Sequence, residues 1–98
     1  MKTTSEYIAI LRKYMAENAH KYGIVRMGIF GSVARGEQTE NSDVDVCIES
    51  APMGLIAFCS LKDELERMLE CNVDILRIRK HLEGSSLLRS IMKDVIYV

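Results

Sequence analysis

The sequence predicts an α+β domain of two layers, a mixed β-sheet with helices packed on one face. Three observations carry that prediction. Helical and strand periodicities alternate along the chain, and one strand switches strictly between apolar and polar residues. The length, 98 residues, suffices for one hydrophobic core but not for two. A single domain over residues 1–98 is therefore expected.

The elements follow in order. Residues 4–22 place Ile8, Leu11, Met15, Ala19 and Tyr22 at spacings of three and four, the period of an amphipathic helix. Thr3 with Glu6 is a capping-box pair at its start, and Gly23 is suited to a left-handed stop. Residues 24–30 form a strand candidate that ends at Gly31. A polar connection over 37–42 leads to a second strand from about Asp43 to Glu49, where Val44, Val46 and Ile48 alternate with Asp43, Asp45 and Cys47. Pro52 and Gly54 precede a helix over about 55–70, with Leu55, Phe58, Leu61, Leu65, Met68 and Leu69 as its apolar stripe. Asn72–Ile78 reads as a third strand, Gly84-Ser85-Ser86 opens a short helix bearing Leu87, Leu88, Ile91 and Met92, and residues 95–98 form a terminal strand. Val44, Val46, Ile48, Val73 and Ile75 are expected to face the helices. The other face then carries Asp43, Asp45 and Asp74 beside Leu76 and Ile78, a mixture that suits a site with a partner nearby.

Composition removes several function classes. No apolar run approaches the ~20 residues that span a bilayer, and the first residues, Met1 to Glu6, lack the apolar core of a signal peptide, so no membrane association is expected. Cys47, Cys59 and Cys71 are odd in number and contain no C-x-x-C pair. They read as small buried hydrophobes in a reducing compartment, and the expected location is cytoplasmic. Thirteen basic against fourteen acidic residues leave a net charge of -1, without the basic excess of a dedicated nucleic-acid binder. The one dense basic run, Arg77-Ile78-Arg79-Lys80-His81, reads as a solvated strand end. His20 and His81 read as surface residues, and Tyr7, Tyr14 and Tyr22 as core or edge packing.

The chemistry concentrates in residues 28–49. Asp43 and Asp45 stand at i and i+2 of a strand, so their carboxylates point the same way and repel each other. A divalent cation relieves that repulsion, and oxygen-only ligands favour Mg²⁺ or Mn²⁺ over zinc. Asp74, on the strand best placed to pair with the second, supplies a third carboxylate. Three such acids from adjacent strands suit two metal ions ~3.5–4 Å apart and in-line phosphoryl or nucleotidyl transfer. Gly31-Ser32, where a strand turns into a short helix, lets the backbone approach a ligand and offers N–H groups and a hydroxyl to an anion. Acids, metals and turn together describe a pocket for a nucleoside triphosphate. A P-loop is excluded for want of G-x-x-x-x-G-K-[ST]. Gly28-Ile-Phe-Gly31 matches the GXXG loop of a KH domain only formally, because Ile29 and Phe30 suit a buried strand.

Gly31-Ser32-Val33-Ala34-Arg35-Gly36, a six-residue polar spacer and Ser42-Asp43-Val44-Asp45 resemble the G-S-x-A-R-G…S-D-x-D signature of the polymerase β-type nucleotidyltransferase superfamily. From the first helix to the last strand the chain is similar to the minimal nucleotidyltransferase (MNT) group, small domains often encoded beside a HEPN-domain protein as toxin–antitoxin pairs. The resemblance implies that Asp43 and Asp45 ligate both Mg²⁺ ions, and that Asp74 completes the site and helps deprotonate the attacking hydroxyl. It implies that Gly31 and Ser32 grip the triphosphate while Arg35 and Gly36 support that loop. It also implies AMP transfer from ATP to a tyrosine of a HEPN-type partner, with the acceptor side supplied by another chain in a homo- or hetero-oligomer. On the residues alone, Arg35 serves equally as a direct phosphate contact of the nucleotide site or to neutralise Asp43 or Glu37, and Ser42 shapes its turn through its hydroxyl. Three functions stay open at this point: the transferase, an antitoxin that acts by protein binding alone, and a nucleotide-binding regulatory module without transfer. Nothing in the sequence specifies the base of the nucleotide or the acceptor.

Overall fold

The computed structural model describes residues 2–79 and 82–98. Its elements run α1 (Thr4–Tyr22), β1 (Ile24–Phe30), α2 (Gly31–Ala34), β2 (Val44–Ser50), α3 (Leu55–Leu69), β3 (Val73–Arg77), α4 (Ser86–Asp94) and β4 (Ile96–Tyr97). The four strands form one mixed sheet in the order β3-β2-β1-β4, with β2 and β3 parallel and the other pairs antiparallel. The α3 crossover is what permits the parallel pair, since a hairpin cannot return a chain in the same direction. The α+β class and the mixed sheet are as the sequence predicts.

Local chemistry fixes the ends. Thr3 Oγ1 accepts from Glu6 N at 3.2 Å while Glu6 Oε1 accepts from Thr3 N at 3.1 Å, the reciprocal cap expected for α1. Gly23 ends that helix at φ 67°. β2 is shorter than expected at its start. The ladder begins at Val44, whose N–H donates to Asn72 O at 3.0 Å, so Asp43 lies just outside the strand. The turn before it is closed by Ser42 Oγ accepting from Thr39 N at 2.8 Å, the role read for that hydroxyl.

The core lies between the sheet and α1 with α3. Val44, Val46, Ile48 and Val73 are buried there, with Ile75 partly buried against them. Two stripes differ from expectation. On α1 the fully covered positions are Tyr7, Leu11 and Tyr14, and Ile8, Met15 and Ala19 flank them. Tyrosine can occupy such a centre because Tyr14 Oη finds Glu64 Oε1 across the seam at 3.3 Å. On α3 the core contacts are Leu61, Leu65 and Leu69, whereas Leu55 is 77% exposed. The apolar period runs on over the first turn of α3, where the helix no longer has core beneath it. The cysteines also divide: Cys47 is buried, Cys71 half-buried and Cys59 exposed. Cys59 stands two residues from Leu61, about 200° around the helix, and so faces solvent. His20 is exposed as expected, and Lys80 and His81 lie outside the described residues. Among the described residues no helix is long and apolar enough to cross a membrane.

Candidate active site

The sheet's second face holds the acids. Asp45 on β2 is the direct partner of Asp74 on β3, and Phe30 of β1 flanks it on the other side. Because β2 and β3 are parallel and in register, the two carboxylate-bearing residues share one face, opposite Val44, Val46 and Val73. Asp43, one residue before β2, is exposed, as is Asp74, while Asp45 is half-buried. Burial pushes the Asp45 carboxyl above its ordinary range, and the charges of Asp74 and Asp43 push it further. The positive charge of Arg35 opposes the rise, with the smallest effect of the four. Both other acids therefore lie within electrostatic reach of Asp45.

This is the electrostatic situation that a divalent cation relieves. The donors are oxygen alone, the set that suits Mg²⁺. Among the described residues no three His, Cys, Asp or Glu side chains are already gathered as tightly as a metal cluster. The donor set and the repulsion at Asp45 thus fit a cation, with Asp43 and Asp74 both exposed beside it.

The Gly-Ser turn abuts the same acid. β1 passes directly into α2, a single helical turn, and Gly31 makes the corner at φ 70°. A Cβ at this position would overlap Asp45 Oδ2 and stand 3.3 Å from its Cγ. Glycine is therefore required twice, for the backbone angle and for the space the carboxylate occupies. Thr4 Oγ1 donates to Val33 O at 2.6 Å, pinning α2 to the start of α1. Ser32 is half-buried beside Gly31, and its carbonyl accepts from Glu37 N at 2.8 Å.

Arg35 and Gly36 play a different part from the acids and the corner. Arg35 Nε donates to Glu37 Oε1 at 2.5 Å, and its Nη1 donates to Asp94 Oδ2 at 2.7 Å. The guanidinium ties the loop to the end of α4, the neutralising role that the sequence left open with Glu37 as partner. Gly36 at φ 72° reverses the chain, and a Cβ there would meet nothing within 4 Å. Asp94 and Thr4 were not singled out in the sequence. Thr4 lies 29 residues from Val33 and Asp94 lies 59 from Arg35, so no local pattern joins them.

Comparison with known proteins agrees with this geometry. Residues 8–98 match the family model described as a nucleotidyltransferase domain. A candidate protein adenylyltransferase of Methanocaldococcus jannaschii is 39% identical over 99 residues, covering 100% of both chains. Protein adenylyltransferase MntA of Thermococcus cleftensis is 32% identical over 99 residues, covering 100% of this chain and 98% of its own. Among solved structures, a candidate minimal nucleotidyltransferase superposes with a TM-score of 0.76 at 29% identity, covering 97% of this chain and 95% of that one. The fold recurs, at 18% identity and a TM-score of 0.69, in a complex of a tri-AMPylated Shewanella oneidensis HEPN toxin with its MNT antitoxin, covering 97% of this chain and 71% of that one. The chain belongs to the nucleotidyltransferase domain family.

Proposed function

We propose that this minimal domain transfers AMP from ATP to a tyrosine hydroxyl of a HEPN-type partner protein, acting as its antitoxin. The observation that carries the reading is the in-register pairing of Asp45 with Asp74, against a glycine corner that leaves room only for the Asp45 carboxylate. The relatives named as protein adenylyltransferases support the choice of adenylyl group and of a protein acceptor.

Asp43, Asp45 and Asp74 would hold two Mg²⁺ ions, which supply charge neutralisation at the phosphates when bound. The backbone N–H groups after Gly31 and the Ser32 hydroxyl hold the triphosphate. Arg35 and Gly36 keep that loop in place through Glu37, Asp94 and the reversed backbone. The acceptor oxygen bonds to the α-phosphorus as the bond from that phosphorus to the β-phosphate oxygen breaks, and pyrophosphate leaves with the electron pair. Asp74, exposed like Asp43, accepts the hydroxyl proton. Burial first, and then repulsion by Asp74 and Asp43, raises the Asp45 pKa, and both are an energetic cost of this arrangement before ligand binds.

The test is labelling of a HEPN-type partner protein by α-labelled ATP and Mg²⁺. Wild type labels it and Asp45→Asn does not. Equal labelling by the variant overturns the reading.

A further inference from the structure

β3 is one edge of the sheet. In a parallel ladder alternate residues turn their backbone groups toward the same neighbour. Ile78 N donates to Ile48 O at 2.8 Å and Asn72 O accepts from Val44 N, so the even-numbered residues around β3 pair with β2. Ile75 and Arg77 direct their backbone groups the other way, to an edge without a further strand. Val73, the remaining outward residue, has its N–H taken by Glu66 Oε2 at 3.0 Å.

Beside this edge are two adjoining hollows of about 280 Å³ each, sharing Phe58, Arg77 and Arg79. Leu55 walls one of them, and Leu76 with Leu82 the other. Leu55 is 77% exposed and Ile56 next to it 85%. Isolated exposed aliphatics are ordinary, but Leu55 walls a hollow already lined by other apolar side chains. The charge here is one-signed. Arg77 donates to Ser50 Oγ at 3.0 Å and to Ser50 O at 3.2 Å, neutral acceptors that leave its charge uncancelled. Among the described residues neither Arg77 nor Arg79 has a carboxylate at ion-pair distance, whereas Arg26 and Arg35 each do.

We propose that this groove docks a segment of the partner protein that carries aliphatic side chains next to a carboxylate. The proposal rests on the transferase reading for the identity of that partner. Aliphatic side chains fill the hollows, the carboxylate pairs with Arg77 or Arg79 (most favourably as a bidentate pair), and the open edge at Ile75 and Arg77 accepts main-chain hydrogen bonds from an extended segment. Arg77 lies three residues along β3 from Asp74, about 10 Å at ~3.3 Å per residue. Arg77 pairs with core-facing Ile48 and so leaves β3 on the face opposite Asp74. A protein seated on the groove reaches the acids by passing round the open β3 edge.

The variant Leu55→Asp/Arg79→Glu tests this with the full chain. It places two negative charges in the groove and spares the Arg77–Ser50 bonds. Leu55 is the first residue of α3, where an aspartate suits the helix dipole. A purified HEPN-type partner protein is titrated into wild type and variant, and a fluorescent ATP analogue with Mg²⁺ is titrated into each separately. The expected result is partner binding weakened tenfold or more with nucleotide binding unchanged. Partner binding as tight as wild type overturns the docking site and leaves the transfer reading standing. Weakened partner binding in a pair that never becomes labelled leaves the docking site and removes the transfer reading. The docking site is also overturned if the wild type fails to bind the protein, if the variant loses nucleotide binding tenfold, or if the variant dissolves a wild-type dimer in sedimentation. In those last two cases the groove belongs to the nucleotide or to a second copy. Should the variant fail to melt cooperatively, Arg79→Glu alone, at an exposed position that lines both hollows, replaces it with the same outcomes.

Discussion

Two half-buried carboxylates, Glu64 and Asp45, sit in the same small domain and are treated in opposite ways. Glu64 lies in the seam between α1 and α3, where it accepts hydrogen bonds from Tyr14 Oη, Tyr22 Oη and Lys21 Nζ. The Tyr22 bond above all, then Lys21 and Tyr14, holds its carboxyl below the ordinary range. Asp45 lies on the far face of the sheet, where its neighbours are two more acids and burial pushes its carboxyl up. One region spends its polar groups satisfying each other, and the other leaves like charges facing each other. The difference separates a carboxylate built into the structure from one held ready for a ligand.

The comparison breaks most sharply on transfer activity. Asp45→Asn is expected to lower labelling of the partner at least ~10³-fold, about 4 kcal/mol of transition-state stabilisation. Glu64→Gln should change it by no more than about threefold. A large loss from Glu64→Gln with unaltered stability would mean that the seam takes part in the chemistry.

The next effect is on packing, within one helix. Leu65 of α3 is fully buried and Leu55 is 77% exposed, although the periodicity assigned both to one stripe. Leu65→Ala should cost about 2–5 kcal/mol in denaturant unfolding, and Leu55→Ala no more than about 0.5 kcal/mol. A substantial stability loss from Leu55→Ala would show that the first turn of α3 is structural rather than a contact surface.

Those residues also mark how much was legible beforehand. The cap of α1, the span of β1 and the alternation in β2 are local signals, set by residues a few positions apart, and the sequence shows them directly. The identity of the acids and the glycine corner was legible for the same reason, because Gly31, Ser32, Asp43 and Asp45 fall within fifteen residues. Where α3 outruns the core depends on the length of the sheet beneath it, which no window along the helix contains. The α1 face centred on Tyr7 and Tyr14 depends on Glu64, fifty residues beyond Tyr14, to satisfy a buried hydroxyl. The Arg35–Asp94 tie is of the same kind.

A smaller effect sharpens the seam. Glu64→Gln replaces bonds to a charged acceptor by neutral ones and should cost about 1 kcal/mol at pH 7. The sign with pH follows from the depressed carboxyl. Its stabilisation is present above the unfolded value of 4.5 and is lost as pH falls through the lower folded value. Thermal melts of wild type and variant should therefore converge as pH falls below 4.5 and through the lower folded value. A gap that does not narrow as pH falls would point to shape rather than charge.

Asp45 should show the reverse sign and the smallest magnitude. Its folded carboxyl titrates above the ordinary 3.8, so the folded state binds this proton more readily than the unfolded state does. Stability is then lost as pH rises from 3.8 through the folded value, and the loss stands in full at neutral pH. Asp45→Asn removes the charge and keeps the shape. In buffer without divalent cation it should raise the melting temperature by roughly 2–5 °C at pH 7 and by nothing below pH 3.8. Millimolar Mg²⁺ with ATP should stabilise wild type through linkage and cancel or invert that difference. Glu64→Gln gains nothing from either addition beyond what wild type gains, because its partners belong to the chain itself. If Asp45→Asn melted below wild type in cation-free buffer at pH 7, the acids would be stabilising one another through bonds rather than awaiting a counter-charge, and the contrast between the two carboxylates would collapse.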